Sequence, residues 1–200
     1  MPKNTKNQSR KNKRQQILDV AARLFREKGY KTTSMRDIAK NLNVEAATLY
    51  SHIKSKDDIL EELVFFIAEK FESGMKDIDE SSYSPYQKVK ELIALQIRIT
   101  VENPYAIFLQ TQALWHLKDP KRSEYQFIRD KYAQDFLRII KAGIKQDEIK
   151  KVNPEIMLNT ILSASRWLYT WYNEDKEISP VELKIQILEL LENGFNNPQA

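Results

Sequence analysis

Apolar residues recur along most of the chain at the spacing of an amphipathic helix. The first such run consists of Ile17, Leu18, Ala21, Leu24 and Phe25. It predicts a helix that begins near Lys13 and ends at Gly29, since glycine readily adopts the left-handed conformation of a helix C-terminus. No segment shows the sustained alternation that is typical of a strand. The pattern therefore predicts an all-α protein of about nine helices.

Capping residues mark where further helices begin. Ser34 with Asp37 predicts a short second helix, and Ser55 with Asp58 predicts a longer helix over 56–74. Beyond residue 80, a capping-type residue precedes a proline five times, and proline suits the first position of a helix because no N–H is needed there. These starts predict helices over 85–101, 104–117, 120–147, 154–173 and 180–195.

The short second helix, a tight turn at Asn43 and a third helix over about 45–51 form a helix-turn-helix pattern. Buried apolar residues are expected to fix the angle between these helices: Ile38, Ala39, Leu42, Val44 and Leu49. In a DNA-binding motif of this kind, the start of the later helix reaches base edges in the major groove. The alternative is a helical hairpin with a purely structural role.

The spacing of residues around this motif resembles the signature of the TetR family. The resemblance lies in the stretch Gly29–Ala39, then Val44, then Thr48–Leu60. It implies a DNA-binding transcriptional regulator and not an enzyme, with an N-terminal helix-turn-helix domain and a C-terminal helical domain for ligand binding and dimerisation. The expected parts are a disordered basic arm over 1–12, a DNA-binding domain over 13–56 and a ligand-binding and dimerisation domain over 57–200.

Four positions depart from the family pattern. Asn43 and Ala47 stand where glycine is common, Glu45 where serine is common, and Ile53 where phenylalanine is usual. Glu45 puts a phosphate contact from that position in doubt. Its carboxylate would instead accept from cytosine N4, or simply favour the positive end of the helix.

The resemblance also implies roles for residues of the motif. Thr33, Tyr50, His52, Lys54 and Lys56 would hold phosphates, and Arg36 would lie near the groove. Ala46, Ala47 and Thr48 would face bases, together with Glu45. Two alternatives stay open at this point. One is that Tyr50 is a core aromatic, and the other is that Lys54 is a solvated lysine.

Charge is distributed unevenly along the chain, and this favours a polyanionic partner for its N-terminal part. Residues 1–56 contain 14 Lys/Arg against 4 Asp/Glu, whereas residues 57–200 contain 18 Lys/Arg against 24 Asp/Glu. A basic head on an acidic body suggests contact with double-stranded DNA. The alternative is a basic tail with no partner, and whether the N-terminal arm contacts DNA is left open.

Composition excludes most catalytic and metal chemistry. The chain has no cysteine, two histidines far apart and four glycines, so thiolate sites, a histidine metal site and a glycine-rich phosphate loop are not expected. No cofactor and no metal are expected. No apolar run is long enough to cross a membrane and no signal peptide is recognisable, which predicts a cytoplasmic protein without membrane contact.

The final predicted helix carries apolar residues on two faces, which favours a homodimer because such a helix needs two partners. The resemblance implies that the last two helices pair with those of a second subunit. The residues expected at the dimer interface are Leu158, Tyr169, Ile185, Leu188, Leu191 and Phe195. A second stripe formed by Leu183, Ile187 and Leu190 would face the chain's own core. The alternative is a monomer that buries both faces internally.

Aromatic residues are abundant in the body, and some are expected to line a cavity for a small apolar ligand. The proposed lining residues are Phe66, Leu95, Ile99, Phe108, Trp115, Tyr132, Phe136 and Trp167. The stretch Ser165–Tyr172 resembles the branch of the TetR family that responds to fatty acyl-CoA, which makes an acyl-CoA the leading expectation. Other apolar effectors, or no effector, are alternatives.

The sequence thus predicts a repressor that binds palindromic DNA as a dimer and is released by an apolar ligand. An all-helical scaffold for protein–protein interaction, with no role on DNA, is the alternative. The operator, the target genes, the identity of the ligand, the number of dimers on each operator and the choice between repressor and activator lie beyond the sequence.

Overall fold

The computed structural model describes residues 3–172 and 176–195, and the side chains of 13–172 and 176–193. Over these ranges the regular structure is helical, as predicted. The helices are α1 (Lys3–Lys28), α2 (Met35–Asn41), α3 (Ala46–Tyr50), α4 (Lys56–Asp79), α5 (Pro85–Glu102), α6 (Pro104–His116), α7 (Lys121–Lys145), α8 (Pro154–Ala164), α9 (Leu168–Trp171) and α10 (Pro180–Phe195). Within the same ranges, no helix is long and apolar enough to span a membrane, and no cluster of His, Asp or Glu is suited to a metal.

Local capping signals set most helix starts where the sequence predicts them. The Ser34 side chain accepts from the Asp37 N–H, and the Asp37 carboxylate accepts from the Ser34 N–H at 2.8 Å, which completes the capping box. Ser84 forms the same reciprocal arrangement at the start of α5. Gly29 and Asn43 adopt positive φ angles of 90° and 53°, as a glycine and an asparagine at tight turns are expected to do.

The N-terminal helix is longer than the sequence indicates. Residues 1–12 were expected to be disordered, but α1 begins at Lys3, and only Met1 and Pro2 of this arm lie outside the described residues. Lysine, glutamine and arginine are good helix formers, and extension of an existing helix costs far less than its nucleation. The absence of apolar residues therefore did not prevent this segment from continuing the helix.

Gly74 does not end α4, which continues to Asp79. A Cβ atom at Gly74 would lie 2.5 Å from Leu95 Cδ2, so the position needs glycine because α5 packs closely there. The predicted end of this helix near residue 74 is therefore too early, because this glycine permits close packing within the helix.

The helix predicted over 154–173 is interrupted. α8 ends at Ala164, the chain turns through 165–167, and α9 is a single turn; residue 173 lies outside the described ranges. Ser165 is buried at the turn, and its hydroxyl donates to Gln96 Oε1 at 2.9 Å. Local sequence patterns do not reveal a hydrogen bond between residues far apart in the chain. The sequence therefore does not predict the interruption.

The chain divides into two compact units. The head unit runs up to Phe66 and also contains Tyr105–Arg122, and the body unit contains Ile67–Pro104 and the chain from Ser123 onward. The predicted apolar face of α1 is buried in the core of the head unit, and α5 and α7 supply much of the core of the body unit. α6 therefore folds largely with the head unit, although the sequence places it in the middle of the C-terminal region.

Candidate DNA-binding and effector sites

The helix-turn-helix of the head unit is closed by backbone hydrogen bonds around Asn43. The Asn43 N–H donates to the Lys40 carbonyl at 3.2 Å, and the Val44 N–H donates to the Ala39 carbonyl at 3.1 Å. Ala39 and Leu49 are buried where α2 and α3 meet. Of the residues predicted to fix this angle, Ile38, Ala39 and Leu49 are buried, and Leu42 and Val44 are half-buried.

Most of the side chains predicted to contact DNA are accessible on the surface of this motif. Arg36, Glu45, Ala47, Thr48, Tyr50 and Lys54 are exposed, and Ala46 and His52 are half-buried. Tyr50 keeps 52% of its surface exposed, which excludes the alternative that it is a core aromatic. A small-residue patch at the start of α3 allows close approach of a base edge, and the tyrosine and lysine add donors beside it.

Thr33 does not belong to this accessible surface. It is 1% exposed, and its hydroxyl donates to the Gly29 carbonyl at 2.9 Å and to the Leu24 carbonyl at 3.3 Å. The Thr33 N–H also donates to the Gly29 carbonyl. The predicted phosphate contact is replaced by a structural role, because the hydroxyl is buried and pairs with backbone carbonyls of α1 and of the turn that follows it.

Lys56 is likewise used inside the head unit. Its Nζ donates to the Tyr30 carbonyl at 2.7 Å and to the Thr33 carbonyl at 2.9 Å, and it lies 4.5 Å from the centroid of the Tyr30 ring. These contacts hold the ammonium against the loop that precedes α2. These contacts favour a role of Lys56 in positioning the motif over the predicted phosphate contact, whereas Lys54 is exposed.

Glu45 occupies the N-cap position of α3 without capping the helix. Its backbone is extended, and its side chain makes no capping hydrogen bond. The carboxylate is exposed at the tip of the motif. The lack of a capping hydrogen bond leaves both roles considered from the sequence open: contact with cytosine N4, or an electrostatic preference for the helix N-terminus.

Arg14 positions the motif, and sequence reasoning missed it. Its Nε and Nη2 donate to the two carboxylate oxygens of Glu62 at 2.8 and 2.6 Å, and its Nη1 donates to the His52 carbonyl. One side chain of α1 therefore holds both α4 and the end of α3. This role of Arg14 depends on a charge pair between residues far apart in the chain. A single sequence does not show which distant charges pair.

A second network joins the end of α6 to the start of α4 within the head unit. Asp57 accepts from the Tyr30 hydroxyl on one oxygen and from Lys118 Nζ at 2.5 Å on the other. The hydrogen bond from Lys118, and then the one from Tyr30, lower the pKa of Asp57. The His116 ring lies 4.8 Å from the Tyr30 ring, centroid to centroid.

The residues predicted to line an effector cavity do not all converge. Phe66, Phe108 and Trp115 belong to the head unit, and the other five belong to the body unit. Trp115 is 83% exposed, and Phe66 and Trp167 are also exposed, so these three are not lining residues of an enclosed cavity in the single chain. Helical spacing shows which side chains share one face of a helix, but it does not show what packs against that face.

The four predicted lining residues that remain lie in the body unit, on α5 and α7. Leu95, Ile99 and Phe136 are buried. The Tyr132 ring lies edge-on to the Phe71 and Phe136 rings, with centroids 5.5 and 6.3 Å apart. Aromatic walls of this kind suit an apolar group.

Two polar groups lie within this apolar region. Gln96 on α5 is 5% exposed, and the Tyr132 hydroxyl is buried as well. Neither Gln96 Nε2 nor the Tyr132 hydroxyl has a hydrogen-bonding partner of acceptable geometry, although the two groups lie near each other. Sequence reasoning considered only apolar residues for the lining, so it did not select Gln96 or Ser165.

An open cleft of about 200 Å³ lies beside Tyr132, between α4 and α7. Its other walls include Met75, Asp79 and Asp135. Asp79 accepts from Arg138 Nη2 at 2.7 Å, so part of the negative charge at the rim is neutralised. The cleft exposes one side of the Tyr132 ring while the hydroxyl stays buried.

The residues predicted at the dimer interface differ in how far they are exposed in the single chain. Leu158 is 6% exposed and packs inside its own chain, Tyr169, Leu188 and Leu191 are half-buried, and Ile185 is 55% exposed. The side chain of Phe195 lies outside the described residues. In the stripe predicted to face the core, Leu183 and Ile187 are buried, whereas Leu190 is 75% exposed.

The chain belongs to the TetR family of bacterial regulatory proteins. The family model of the N-terminal domain matches residues 17–63, and a model described as the tetracyclin repressor-like C-terminal domain matches residues 82–195, more than half of the chain. Proteins of this family are DNA-binding regulators and not enzymes. The fold and the helix-turn-helix predicted from the sequence are thereby confirmed.

Relatives and solved structures extend over nearly the whole chain. The repressor KstR2 of Rhodococcus jostii is 20% identical over 93% of this chain and 92% of its own length. The fatty acid metabolism regulator protein of Bacillus subtilis is 25% identical over 91% of this chain and 95% of its own. The ketosteroid transcriptional regulator KstR2 of Mycobacterium tuberculosis superposes with a TM-score of 0.87 at 19% identity, covering 92% of this chain and 95% of that one.

One solved structure of the same fold contains both kinds of partner expected of such a regulator. AibR, crystallised in complex with isovaleryl coenzyme A and operator DNA, superposes with a TM-score of 0.75 at 20% identity. The superposition covers 88% of this chain and 96% of that chain. At this identity the comparison establishes the shared fold.

Proposed function

We propose that this protein is a dimeric repressor that binds a palindromic operator through its head unit and is released by a fatty acyl-CoA. The observation that supports DNA binding most strongly is the accessible surface formed by α3, the turn after it and the start of α2. Arg36, Ala47 and Thr48 are exposed there for base edges, and Tyr50 and Lys54 are exposed for phosphates.

The proposed division of labour follows the two units. The head unit reads DNA, with Glu45, Ala46 and His52 completing the contact surface, and the body unit binds the effector and the second subunit. Repression is proposed because KstR2 of Rhodococcus jostii carries that activity in its name. An acyl-CoA is proposed because a regulator of fatty acid metabolism is among the relatives and AibR binds isovaleryl coenzyme A.

The dimer is supported by apolar side chains left uncovered in the single chain. On α8, Ile156 is 66% exposed, and on α10, Val181 and Ile185 are 63% and 55% exposed. Exposed aliphatic residues of this kind are typical of an interface between subunits. A twofold dimer also places two copies of α3 about 34 Å apart, the spacing of one DNA turn.

Fluorescence anisotropy of the full-length protein on its own upstream DNA, titrated with palmitoyl-CoA, tests the proposal. We expect binding that weakens with salt and release of the DNA at micromolar palmitoyl-CoA. Binding that is insensitive to palmitoyl-CoA would retain the repressor and discard the acyl-CoA. Failure to bind this DNA, and failure to enrich any other operator from fragmented genomic DNA, would contradict DNA binding itself.

A matched pair of variants tests the dimer. Ile185→Glu places a charge on the exposed apolar surface of α10 and should lower the sedimentation mass to that of one chain. Gln186→Glu, at the neighbouring exposed position, should leave the mass of the wild type unchanged. If both variants sediment as the wild type does, this surface is not the interface.

A further inference from the structure

The body unit contains buried polar groups that its own fold does not fully use. Gln96 lies on α5 among buried apolar neighbours such as Leu92, Ile93 and Ile97. A buried polar group without a partner is costly, and folded proteins pair the large majority of such groups. A polar side chain in this environment therefore calls for a physical explanation.

The orientation of the Gln96 amide is fixed by one hydrogen bond. The Ser165 hydroxyl donates to Gln96 Oε1 at 2.9 Å, in the buried turn between α8 and α9. The acceptor end of the amide is thereby occupied, and the Nε2 end, which can only donate, points away from Ser165. Both N–H groups of Gln96 Nε2 are without an acceptor of suitable geometry.

The Tyr132 hydroxyl supplies a second donor close by. It is buried and has no hydrogen-bonding partner of suitable geometry, although Gln96 is near enough to affect its pKa. Burial raises the pKa of Tyr132, and the nearby Gln96 amide offsets only part of that increase. The hydroxyl therefore keeps its proton at neutral pH and remains available to donate.

The surroundings favour a neutral acceptor on an apolar molecule. The Phe71 and Phe136 rings flank Tyr132 and supply the apolar surroundings. The Tyr132 ring also borders the cleft of about 200 Å³ between α4 and α7, whose other walls are Met75 and six charged side chains. A carbonyl oxygen has two lone pairs and can accept from both donors. An ionised carboxylate would lose more hydration on burial than two neutral donors return.

We propose that Gln96 and Tyr132 form the polar subsite of the effector pocket and bind a carbonyl oxygen of an otherwise apolar effector. Ser165 is a positioning residue, because it holds the Gln96 amide with its N–H groups toward the effector. This inference rests on the proposed function in that an effector binds the body unit. It adds the group on the effector that is recognised and the residues that recognise it.

Two pairs of probes that differ only in a carbonyl test the subsite. One pair is dodecanoyl-CoA and dodecyl-CoA, the thioether that lacks the carbonyl, and the other is methyl nonyl ketone and undecane. The wild-type protein should bind the carbonyl member of at least one pair about tenfold more tightly, measured by titration calorimetry. Tyr132→Phe and Gln96→Met should each remove most of this preference.

Tyr125→Phe is the matched control, since Tyr125 is a buried tyrosine of the same helix that is not among the groups lacking a partner. It should keep the preference of the wild type. Tyr132→Phe should also melt at or above the wild-type temperature, since it removes a buried hydroxyl that lacks a partner. If Gln96→Met does not fold, Tyr132→Phe decides the question alone.

The outcomes separate this subsite from the proposed effector class. A carbonyl preference for the ketone but not for dodecanoyl-CoA, lost in Tyr132→Phe, would retain the subsite and discard the acyl-CoA. The subsite is overturned if neither carbonyl probe binds, if neither pair shows a preference, or if Tyr132→Phe keeps the preference in full. In the last case the buried groups serve the fold alone.

Discussion

The head unit and the body unit each contain a cluster of tyrosine and polar side chains, and the two clusters differ in how completely they are paired. In the head unit, Tyr30, Lys56, Asp57 and Lys118 satisfy one another and the backbone carbonyls around them. In the body unit, Gln96 and Tyr132 leave buried donors without acceptors.

This difference separates a network that fixes a structure from one that is prepared for a ligand. Hydrogen bonds in the head unit hold the loop before α2 and the start of α4 in one arrangement, which a rigid DNA-binding surface requires. Incomplete pairing in the body unit costs stability in the free protein, and an effector with a suitable acceptor would recover that cost on binding.

The largest expected effect comes from breaking the paired network. Lys56→Met should lower the free energy of unfolding by about 1.5–3 kcal/mol, because the Tyr30 and Thr33 carbonyls lose a charged donor. Urea denaturation followed by circular dichroism measures this change. If Lys56→Met were as stable as the wild type, the network would not fix the head unit.

In the body unit, removal of a polar group is expected to raise the free energy of unfolding rather than lower it. Tyr132→Phe should raise the free energy of unfolding by about 1 kcal/mol in the absence of effector, because a buried hydroxyl without a partner is removed. The same urea denaturation, run beside Tyr125→Phe as a control, measures it. A clear loss of stability in Tyr132→Phe would mean that its hydroxyl is paired after all, and the contrast between the clusters would fail.

A smaller, pH-dependent effect should follow from Asp57. Lys118 and Tyr30 lower its pKa below the ordinary value of 3.8, so its contribution to stability is complete above pH 3.8. The contribution is lost as the pH falls through the lower pKa of the folded state. Asp57→Asn should therefore be less stable than the wild type at pH 7, and the difference should shrink below pH 3.8.

Denaturation curves recorded across that range provide the measurement for Asp57. Asp135→Asn, which removes a half-buried carboxylate that is paired with Lys131 and Arg138 of its own helix, is a control for the general effect of a lost ion pair. A gap between Asp57→Asn and the wild type that is independent of pH would show that the carboxylate has no special role in the network.

The smallest effect is expected at His116. Burial, and then the positive charges of Lys31 and Lys56, lower its pKa below the ordinary value of 6.5. The unfolded chain therefore takes up a proton more readily, and stability should fall as the pH drops below 6.5. His116→Gln should reduce this loss between pH 7 and pH 5, measured in thermal melts.

The sequence was most informative where structure depends on neighbours along the chain. Ser34 with Asp37, Gly29 and Asn43 act within a few residues, so the helix-turn-helix and its turn were predicted correctly. The family signature added a prediction of which surface meets DNA. Tyr50 shows the benefit, because its exposure agrees with a surface role that spacing alone left open.

Prediction failed where a residue's role depends on a partner distant in sequence. Lys56 and Lys54 look equivalent in the sequence, yet only the structure shows that Lys56 is held by the backbone around Tyr30. Trp115 lies on an apolar helix but faces outward, and Gln96 is polar but lies inside. Helical periodicity identifies faces, and only tertiary packing decides which face is covered.

The dependence of DNA affinity on salt, compared between Lys54→Ala and Lys56→Ala, tests the central claim most directly. The claim is that exposed charges of the head unit hold DNA while the enclosed one builds the surface. A phosphate contact at Lys54 predicts that Lys54→Ala lowers the log–log salt slope by about 0.9 for each subunit bound, with the fold intact.

For Lys56→Ala, we expect a weaker fold and an unchanged salt slope under conditions where the protein is folded. Both slopes are obtained by anisotropy on the same operator DNA, with circular dichroism as the test of folding. A reduced slope in Lys56→Ala together with an unchanged slope in Lys54→Ala would contradict the assignment of these two lysines.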